Sequence, residues 1–589
     1  MSRAPRSWSP RLAAVVASMA IIVAACGAAT TSPSAATAPE SVAPASADPN
    51  FAGATYPEDG EAPCGTAPYT GNLKKITATD QNTVVFDLCG PDVAFLSKVA
   101  FSAFQINDTA WLESHIDPAG TGEQAIVSEP NGTGPYKLTN WARGSEITME
   151  AFPEYWGTPA EAQSLIFRWG TEGNQRVTEL QAGTVDGIDN VPPESFETIR
   201  GDSNYQLIDR EGLNTLYLGF NNNPKTEGFD NSQNPMANEK VRQAIAMGIN
   251  RDQILSEFYP PGSEVATHFT PCAIPNGCVG DPWYEFDAAA AKALLAEAGY
   301  PDGFETKLSY RPAVRGYLPD PPAVAQAVQA QLLANLNINA TLDQQDDTTY
   351  LDNAAAGLLD GLYLLGWGAD YPDQTNFLDY HFGAGASDQF GDKFDDITAA
   401  LQAGAAGAND AEREPSYVEA NNAIKAHVPM VPMVHGGSGV AYKADVTNGQ
   451  ASPLSNELFS VMAPGDRDQF VFMQNGEPGG LYCADETDGE ALRVCEQLNE
   501  SLYGYEINGT AAEPSLAEVC EPNAELTQWT CTLRSGVQFH DGATLDANDV
   551  VMSYAVQWDN NHPLHKGRDG SFTYFPALFG GLLNPPPAE

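Results

Sequence analysis

The first 26 residues decide where this chain folds, and with that which covalent chemistry can hold it together. Arg3, Arg6 and Arg11 precede an apolar run over 13–25 that ends in Val23, Ala24, Ala25, Cys26 and Gly27. The run has the length of an export signal and falls short of the ~20 residues a spanning helix needs. The small residues ahead of Cys26 read as a lipobox, in which Cys26 becomes the lipidated first residue of the mature protein. A plain secretory signal cut near Ala25 is the other reading. Residues 27–54 are rich in Ala, Ser, Thr and Pro and too poor in large apolar side chains to bury a core, so they read as a flexible tether. The rest of the chain is expected outside the cytoplasm, anchored to the outer face of the cell membrane or periplasmic.

Cysteine usage agrees with export. Nine cysteines less Cys26 leave an even set of eight in an oxidising compartment. The most local pairing joins Cys64 to Cys89, Cys272 to Cys278, Cys483 to Cys495 and Cys520 to Cys531. No CxxC occurs and the spacing is not zinc-like, so neither a metal nor another cofactor is expected. At ~150 residues per domain, 589 residues suggest about four domain-sized units, and 42% hydrophobic content is enough to give them cores. Lys+Arg 29 against Asp+Glu 77 leave a net charge of −48. So acidic a surface, without a basic stripe, repels phosphate backbones and excludes nucleic acid as a partner.

From about Thr55 onward strands and helices alternate without an internal repeat. Strands are expected at Thr83–Leu88, Glu146–Ala151, 165–169, 216–220, 338–342 and 362–365. Helices are expected over 239–254 with Asn238 as N-cap, over 287–298 ended by Gly299 and Pro301, and over 322–336. That mixture predicts an α/β fold.

Six blocks carry one resemblance. They are GTGPYKL at 132–138 with Trp141, Gly144, Tyr155 and Trp156; Arg176 with LQAGTVD at 180–186; VRQAIAMGINR at 241–251; AKALLAEAG at 291–299; GWGADYPD at 366–373 with NFL at 376–378; and LRSGVQFHDG at 533–542 with LDANDV at 545–550. Together they resemble the extracytoplasmic solute-binding proteins of the oligopeptide/dipeptide type (family 5), which feed ABC importers. The resemblance implies a two-lobed, type II periplasmic-binding-protein-like fold that closes by hinge motion around its ligand.

The order of the blocks departs from that family. The sixth block and the stretch 472–520 stand near the N-terminus of ordinary members, yet here they follow VPMVH at 431–435, which resembles the usual C-terminal end. LFGGLL at 578–583 would ordinarily run on into a segment like LKKITATDQNTVVFDL at 73–88. Residues 466–583 placed ahead of 55–465 make one binding protein with nothing duplicated. A circular permutation is therefore expected, against a truncated copy fused to a second one or a gene-assembly error. The larger lobe is expected from 55–240 and 431–589, the smaller from 241–430.

The resemblance also implies a site. In the family the Trp-x-x-Asp block faces the cleft and its Asp receives the α-ammonium of a bound peptide, which here is Asp370, with Trp367, Gly368 and Tyr371 beside it. A plain turn ahead of Pro372 is the alternative for Asp370. GEPGGL at 476–481 and Tyr482 correspond to the strand beside the ligand backbone, which assigns Gly480, Leu481 and Tyr482; an ordinary glycine turn is the alternative. Arg315, in RGYLPDP at 315–321, resembles an arginine that clamps the ligand carboxylate. Arg311 is a near alternative, and a solvated loop arginine the plain one. His562 and His565 form an HxxH too isolated to hold a metal, and His540 reads as structural.

No GxSxG elbow, HExxH or phosphate-cradling glycine loop occurs, and the acids are too numerous to single out a catalytic pair. The expectation is a non-enzymatic, monomeric, lipid-anchored receptor. It would capture di- or oligopeptides and deliver them to an ABC permease driven by cytoplasmic ATPases. Alternatives are the same fold serving a nickel complex, an oligosaccharide or an opine, or acting as an adhesion or signalling scaffold.

Overall fold

The strand Gln469–Gln474 (QFVFMQ) carries apolar side chains on both faces, so it has to lie inside a sheet covered on both sides. It does so in the computed structural model, which describes residues 51–120 and 123–585. Cys26, the apolar run ahead of it and the tether as far as residue 50 lie outside the described residues. The strand is fourth in a seven-stranded sheet ordered Tyr136–Ala142, Glu146–Ala151, Ser164–Trp169, Gln469–Gln474, Gly187–Ile188, Ser438–Lys443, Tyr205–Arg210. Phe470 and Phe472 pack with Tyr136, Phe167 and Phe459, while Val471 and Met473 pack with Ile166, Leu180 and Ile188.

A second sheet is antiparallel throughout, in the order Thr55–Tyr56, Leu73–Asp80, Thr83–Leu88, Gln528–Leu533, Ala517–Pro522. Burial alternates along Thr83–Leu88 as its TVVFDL pattern predicts. The helix Ala547–Trp558, begun by a capping box between Asp546 and Asp549, packs into the core on this sheet. Asn72 N donates to Phe579 O (2.6 Å) and Thr70 Oγ1 to Gly580 O (2.7 Å), so the 578–583 stretch lies beside the start of Leu73–Asp80.

The third sheet runs Glu264–Val265, Met430–His435, Asn214–Phe220, Leu362–Gly368, Glu305–Tyr310, Asn339–Gln344. Its centre, Asn214–Phe220, is buried along almost its whole length and pairs with Met430–His435 and Leu362–Gly368. Ladder pairing thus holds Asn214–Phe220 and Met430–His435 together in this sheet. The helix expected over 239–254 is two, Glu239–Gly248 and Arg251–Phe258. The break follows from Asn250, whose side chain accepts from Gln253 N and caps the second helix. Asn238 caps as expected, accepting from Lys240 N, and Asp287, expected inside the next helix, is its N-cap, accepting from Ala290 N. No helix among the described residues is long and apolar enough to cross a membrane.

All four neighbouring cysteine pairs are bonded: Cys64–Cys89, Cys272–Cys278, Cys483–Cys495 and Cys520–Cys531. Cys520 and Cys531 face each other directly across the antiparallel edge pair of the second sheet. Peptide mapping without reduction should recover these four crosslinks. Replacing Cys520 and Cys531 together by Ala should lower the stability measured by denaturant unfolding by about 2–3 kcal/mol, because the crosslink restricts the unfolded chain. An unchanged midpoint would contradict this.

Candidate functional site

The segment GWGADYPD leaves the third sheet at the end of Leu362–Gly368, and one side chain organises it. Asn376 Oδ1 accepts from Asp370 N (3.0 Å) and Trp367 Nε1 (3.1 Å), and its Nδ2 donates to Asp370 Oδ2 (2.8 Å). Trp367 stacks on Tyr380 with ring centroids 4.1 Å apart. Gly366 has to be glycine, since a Cβ would meet the Tyr317 ring at 2.3 Å, whereas at the exposed Gly368 it would meet nothing. The two carboxylates of the block have different roles. Asp373 is held by Arg413 through two 2.7 Å bonds and also caps Thr375 N. Asp370 has neutral partners, Asn376 and the Tyr574 hydroxyl, and burial pushes its carboxyl up to about 7.

Asp370 lines a crevice of about 40 Å3 where the three sheets' units meet. Phe101, Ser102 and Tyr505 contribute from the second unit, 454–456 from the loop after Ser438–Lys443, and Gly489, Leu492 and Arg493 from the helix Gly489–Leu498. Arg493 offers no free charge there. It is bound to Asp189 (2.9 Å) and Glu457 (2.9 Å), and Arg210 closes the ring through the same two carboxylates. All four side chains are at most 5% exposed. Burial opposes the charge on Asp189, but Arg210 and Arg493 outweigh it and hold that carboxyl far below the usual range.

The other expected site residues are placed less uniformly. Tyr371 is buried in the core of the second unit, with its hydroxyl bonded to Thr375 Oγ1 (2.9 Å), so it joins two units instead of lining the crevice. Leu481 and Tyr482 are core side chains of the first and second units. Gly480 is buried against Glu486 and Val127, where a Cβ would fall 2.1 Å from the Glu486 carboxylate. The glycine loop is clamped from both sides. Glu477 accepts from Trp141 Nε1 and Gly144 N (both 3.1 Å), and Arg143 lies 3.3 Å over Trp141 and donates to Gly479 O. Opposite, Arg568 holds Glu486 (3.0 Å), and Asp485 accepts the backbone N–H groups of Asp569, Gly570 and Phe572. Arg315 sits half-buried on a turn, bonded to Val314 O (3.0 Å), and its charge favours ionised Asp488, the N-cap of the helix Gly489–Leu498. It is not among the crevice-lining residues, and Arg311 is buried and bonded to the Tyr317 hydroxyl. His562 and His565 each bond to backbone, and no metal-binding group of His, Cys, Asp or Glu occurs among the described residues. His540 joins the sixth block to the first through Gly134 O (3.0 Å) and Gly132 N (3.3 Å).

Comparison with known families adds to this geometry. The profile described as "Bacterial extracellular solute-binding proteins, family 5 Middle" matches residues 29–389 and 511–571. The chain belongs to the family 5 extracellular solute-binding proteins. The dipeptide-binding protein of Escherichia coli (strain K12) is 30% identical over 319 residues, 54% of this chain and 57% of that protein. Di/tripeptide-binding protein 1 of Pseudomonas aeruginosa (strain UCBPP-PA14) is 26% identical over 67% of this chain and 72% of its own. The chain thus spans only part of each relative it matches. The periplasmic binding protein DppA from Helicobacter pylori, solved with the peptide STSA, superposes with a TM-score of 0.59 at 24% identity, over 67% of this chain and 74% of its own. The three α/β units are accordingly those of the type II periplasmic-binding-protein fold.

A family 5 protein this acidic has an unusual titration. Burial raises Asp379 and Glu486 to about 8, Asp370, Glu496 and Glu500 to about 7, and Asp488 and Asp549 to about 6. Each ionises at lower pH in the unfolded chain than in the folded one. Their contribution is therefore fully present below about pH 4 and is lost as pH rises through 6 to 8. Asp189 acts in the opposite sense only below its unfolded value of about 4. The buried imidazoles of His381, pushed down to about 3, and of His435 and His540, pushed down to about 4, oppose the trend up to about pH 6.5, above which the carboxyls act alone. The melting temperature should fall from about pH 6.5 to pH 8, and a rise over that range would contradict the assignment.

Proposed function

We propose that this chain is the lipid-anchored, extracytoplasmic receptor of an ABC importer, and that it takes a small peptide between its lobes, in a cleft that opens around the crevice at Asp370 as the lobes part. The observation that carries this reading is the electrostatics of Asp370. It is a desolvated carboxylate with neutral partners, on the wall of the crevice between units, while the neighbouring arginine is bound to two buried acids. A peptide's α-ammonium supplies the cation that such a carboxylate takes in a charge-assisted bond. Trp367 and Gly368 flank that bond, and Arg315, by the helix Gly489–Leu498, receives the ligand carboxylate as the lobes close. The names of the relatives, a dipeptide-binding and a di/tripeptide-binding protein, support the ligand class. The receptor carries out no covalent chemistry, works as a monomer tethered through Cys26, and hands its ligand to a permease whose ATPases lie in the cytoplasm.

Proton and ammonium compete for Asp370, so peptide affinity should weaken as pH falls below about 7. Asp370→Asn should remove that dependence and weaken Kd by roughly 30-fold to several thousand-fold, the range for losing one member of a desolvated pair at about 2–5 kcal/mol. Calorimetry with the peptide that co-purifies, identified by mass spectrometry, reads both effects. Unchanged affinity in the variant removes Asp370 from the site.

The chain order is proposed to be a circular permutation of the family's. Three features support it: the strand Gln528–Leu533 pairs with Thr83–Leu88, the 578–583 stretch bonds to Thr70 and Asn72, and Tyr56 and Leu583 both meet at Asp559. A gene that joins 585 to 51 through a short Gly/Ser linker and opens at the exposed turn Gly465–Asp466 should yield a protein of unchanged fold and peptide affinity. Failure of that protein to fold would count against the permuted order and leave the Asp370 reading untouched.

A further inference from the structure

A second cavity, of about 530 Å3, opens in the unit of the second sheet, and none of its lining residues belongs to the crevice at Asp370. Its volume lies within the range of about 300–1,000 Å3 that small-molecule sites occupy. Three elements build it: Tyr56 and Glu58 at the start of the described chain, Glu113 on the helix Thr109–His115, and Met552 on Ala547–Trp558, with His562 and Leu564 from the loop that follows.

The lining divides into an apolar body and an acidic rim. The Tyr56 ring is fixed edge-on between Trp558 (6.0 Å) and His562 (5.8 Å), and its hydroxyl is committed to Asp559, so what it offers a ligand is its aromatic face. Met552 and Leu564 add polarisable and aliphatic surface. His562 adds no positive charge, because burial pushes its imidazole down, and its Nδ1 accepts from Leu564 N (3.1 Å), which leaves the ring proton on Nε2. Glu58 and Glu113 are exposed at the rim, and among the described residues no lysine or arginine lines the cavity. Carboxylates over an aromatic and thioether floor favour a cation with an apolar stem, through charge and cation–π attraction together. The net charge of −48 raises the local concentration of any such cation and repels anions.

We propose that this cavity binds a small organic ammonium ion, its stem against Tyr56, Met552 and Leu564 and its charge met by Glu58 and Glu113. The site is separate from peptide capture and stands or falls independently of it. Methyl-13C methionine NMR on the mature protein tests it, with n-hexylammonium as probe and n-hexanol and hexanoate as controls. The Met552 signal is assigned by its loss in Met552→Leu. Hexylammonium should shift that signal saturably, at least tenfold more tightly than hexanol, with no shift from hexanoate. Binding should weaken in 0.5 M salt, as exposed charge pairs do. Glu58→Gln with Glu113→Gln, both at exposed positions, should weaken it at least tenfold further, while Asp370→Asn should leave the Met552 shift unchanged. A Met552 signal that does not move, that responds equally to hexanol, or that responds normally in the double glutamine variant would overturn the proposal.

Discussion

Two arginines and two carboxylates form a closed, dry ring around which the first unit is arranged. Asp189 follows the strand Gly187–Ile188, Arg210 ends Tyr205–Arg210, Glu457 lies in the loop before Phe459, and Arg493 is on the helix Gly489–Leu498. Burying any one of these charges alone would cost several kcal/mol, so each holds its place only while the other three hold theirs. The ring thus fixes the helix against the sheet and sets the loop of Glu457 beside it. Gln497 extends the same contact by donating to Glu457 O (2.9 Å) and accepting from Phe459 N (3.0 Å). The consequence for the crevice is electrostatic. Arg493 lines it, yet its charge is already neutralised, so the crevice wall is dominated by Asp370.

The same use of cations recurs throughout. Among the described residues seven arginines and Lys98 are buried, against 29 Lys and Arg in the whole chain. Several are clamps on backbone carbonyls where ladders end. Arg176 donates to Gly170 O (2.7 Å), Asp189 O (3.0 Å) and Asn190 O (2.8 Å); Arg242 holds Met236 O and Val428 O; Arg251 holds Pro432 O and Tyr284 O. A buried guanidinium has five donors and no acceptor, which suits it to loops that present carbonyls to the interior.

Local features were legible in the sequence because local physics decides them. The alternation of TVVFDL and the cap Asn238 depend on residues within a few positions of one another, and the neighbouring cysteine pairs on residues no more than 25 positions apart. The family blocks were legible too, but a motif gives the order of its residues and not their direction. Tyr371 follows Asp370 in sequence, yet the chain turns between them, so one faces the crevice and the other enters a different unit's core. Leu481 and Tyr482 continue a glycine loop, but their side chains are packed inside. The charge ring left no trace in the sequence, since its members are spread from 189 to 493 and each is an ordinary residue in its own segment. Nor does an apolar strand such as 216–220 reveal in sequence which sheet it joins.

The passage between the first and third units depends on glycine. Arg210 pairs with Ser438 in one sheet, and Leu216 pairs with Val434 in the other, so two antiparallel strands run from sheet to sheet with only 211–215 and 435–437 between. In that gap the chains touch: a Cβ on Gly212 would lie 2.4 Å from Gly436 O, and one on Gly436 would lie 2.3 Å from Gly316 O. Asn214 secures the contact by donating to Gly436 O (2.7 Å) and accepting from Gly436 N (2.8 Å). Any rotation of one sheet against the other has to be absorbed here, by a few backbone dihedrals on two strands that move together because Asn214 ties them. Arg210 anchors one side of this crossover to the charge ring, and Gly316 brings the Arg315 turn against the other. The glycine crossover therefore lies between the buried charge ring, which Arg210 joins, and the Arg315 turn, which Gly316 continues.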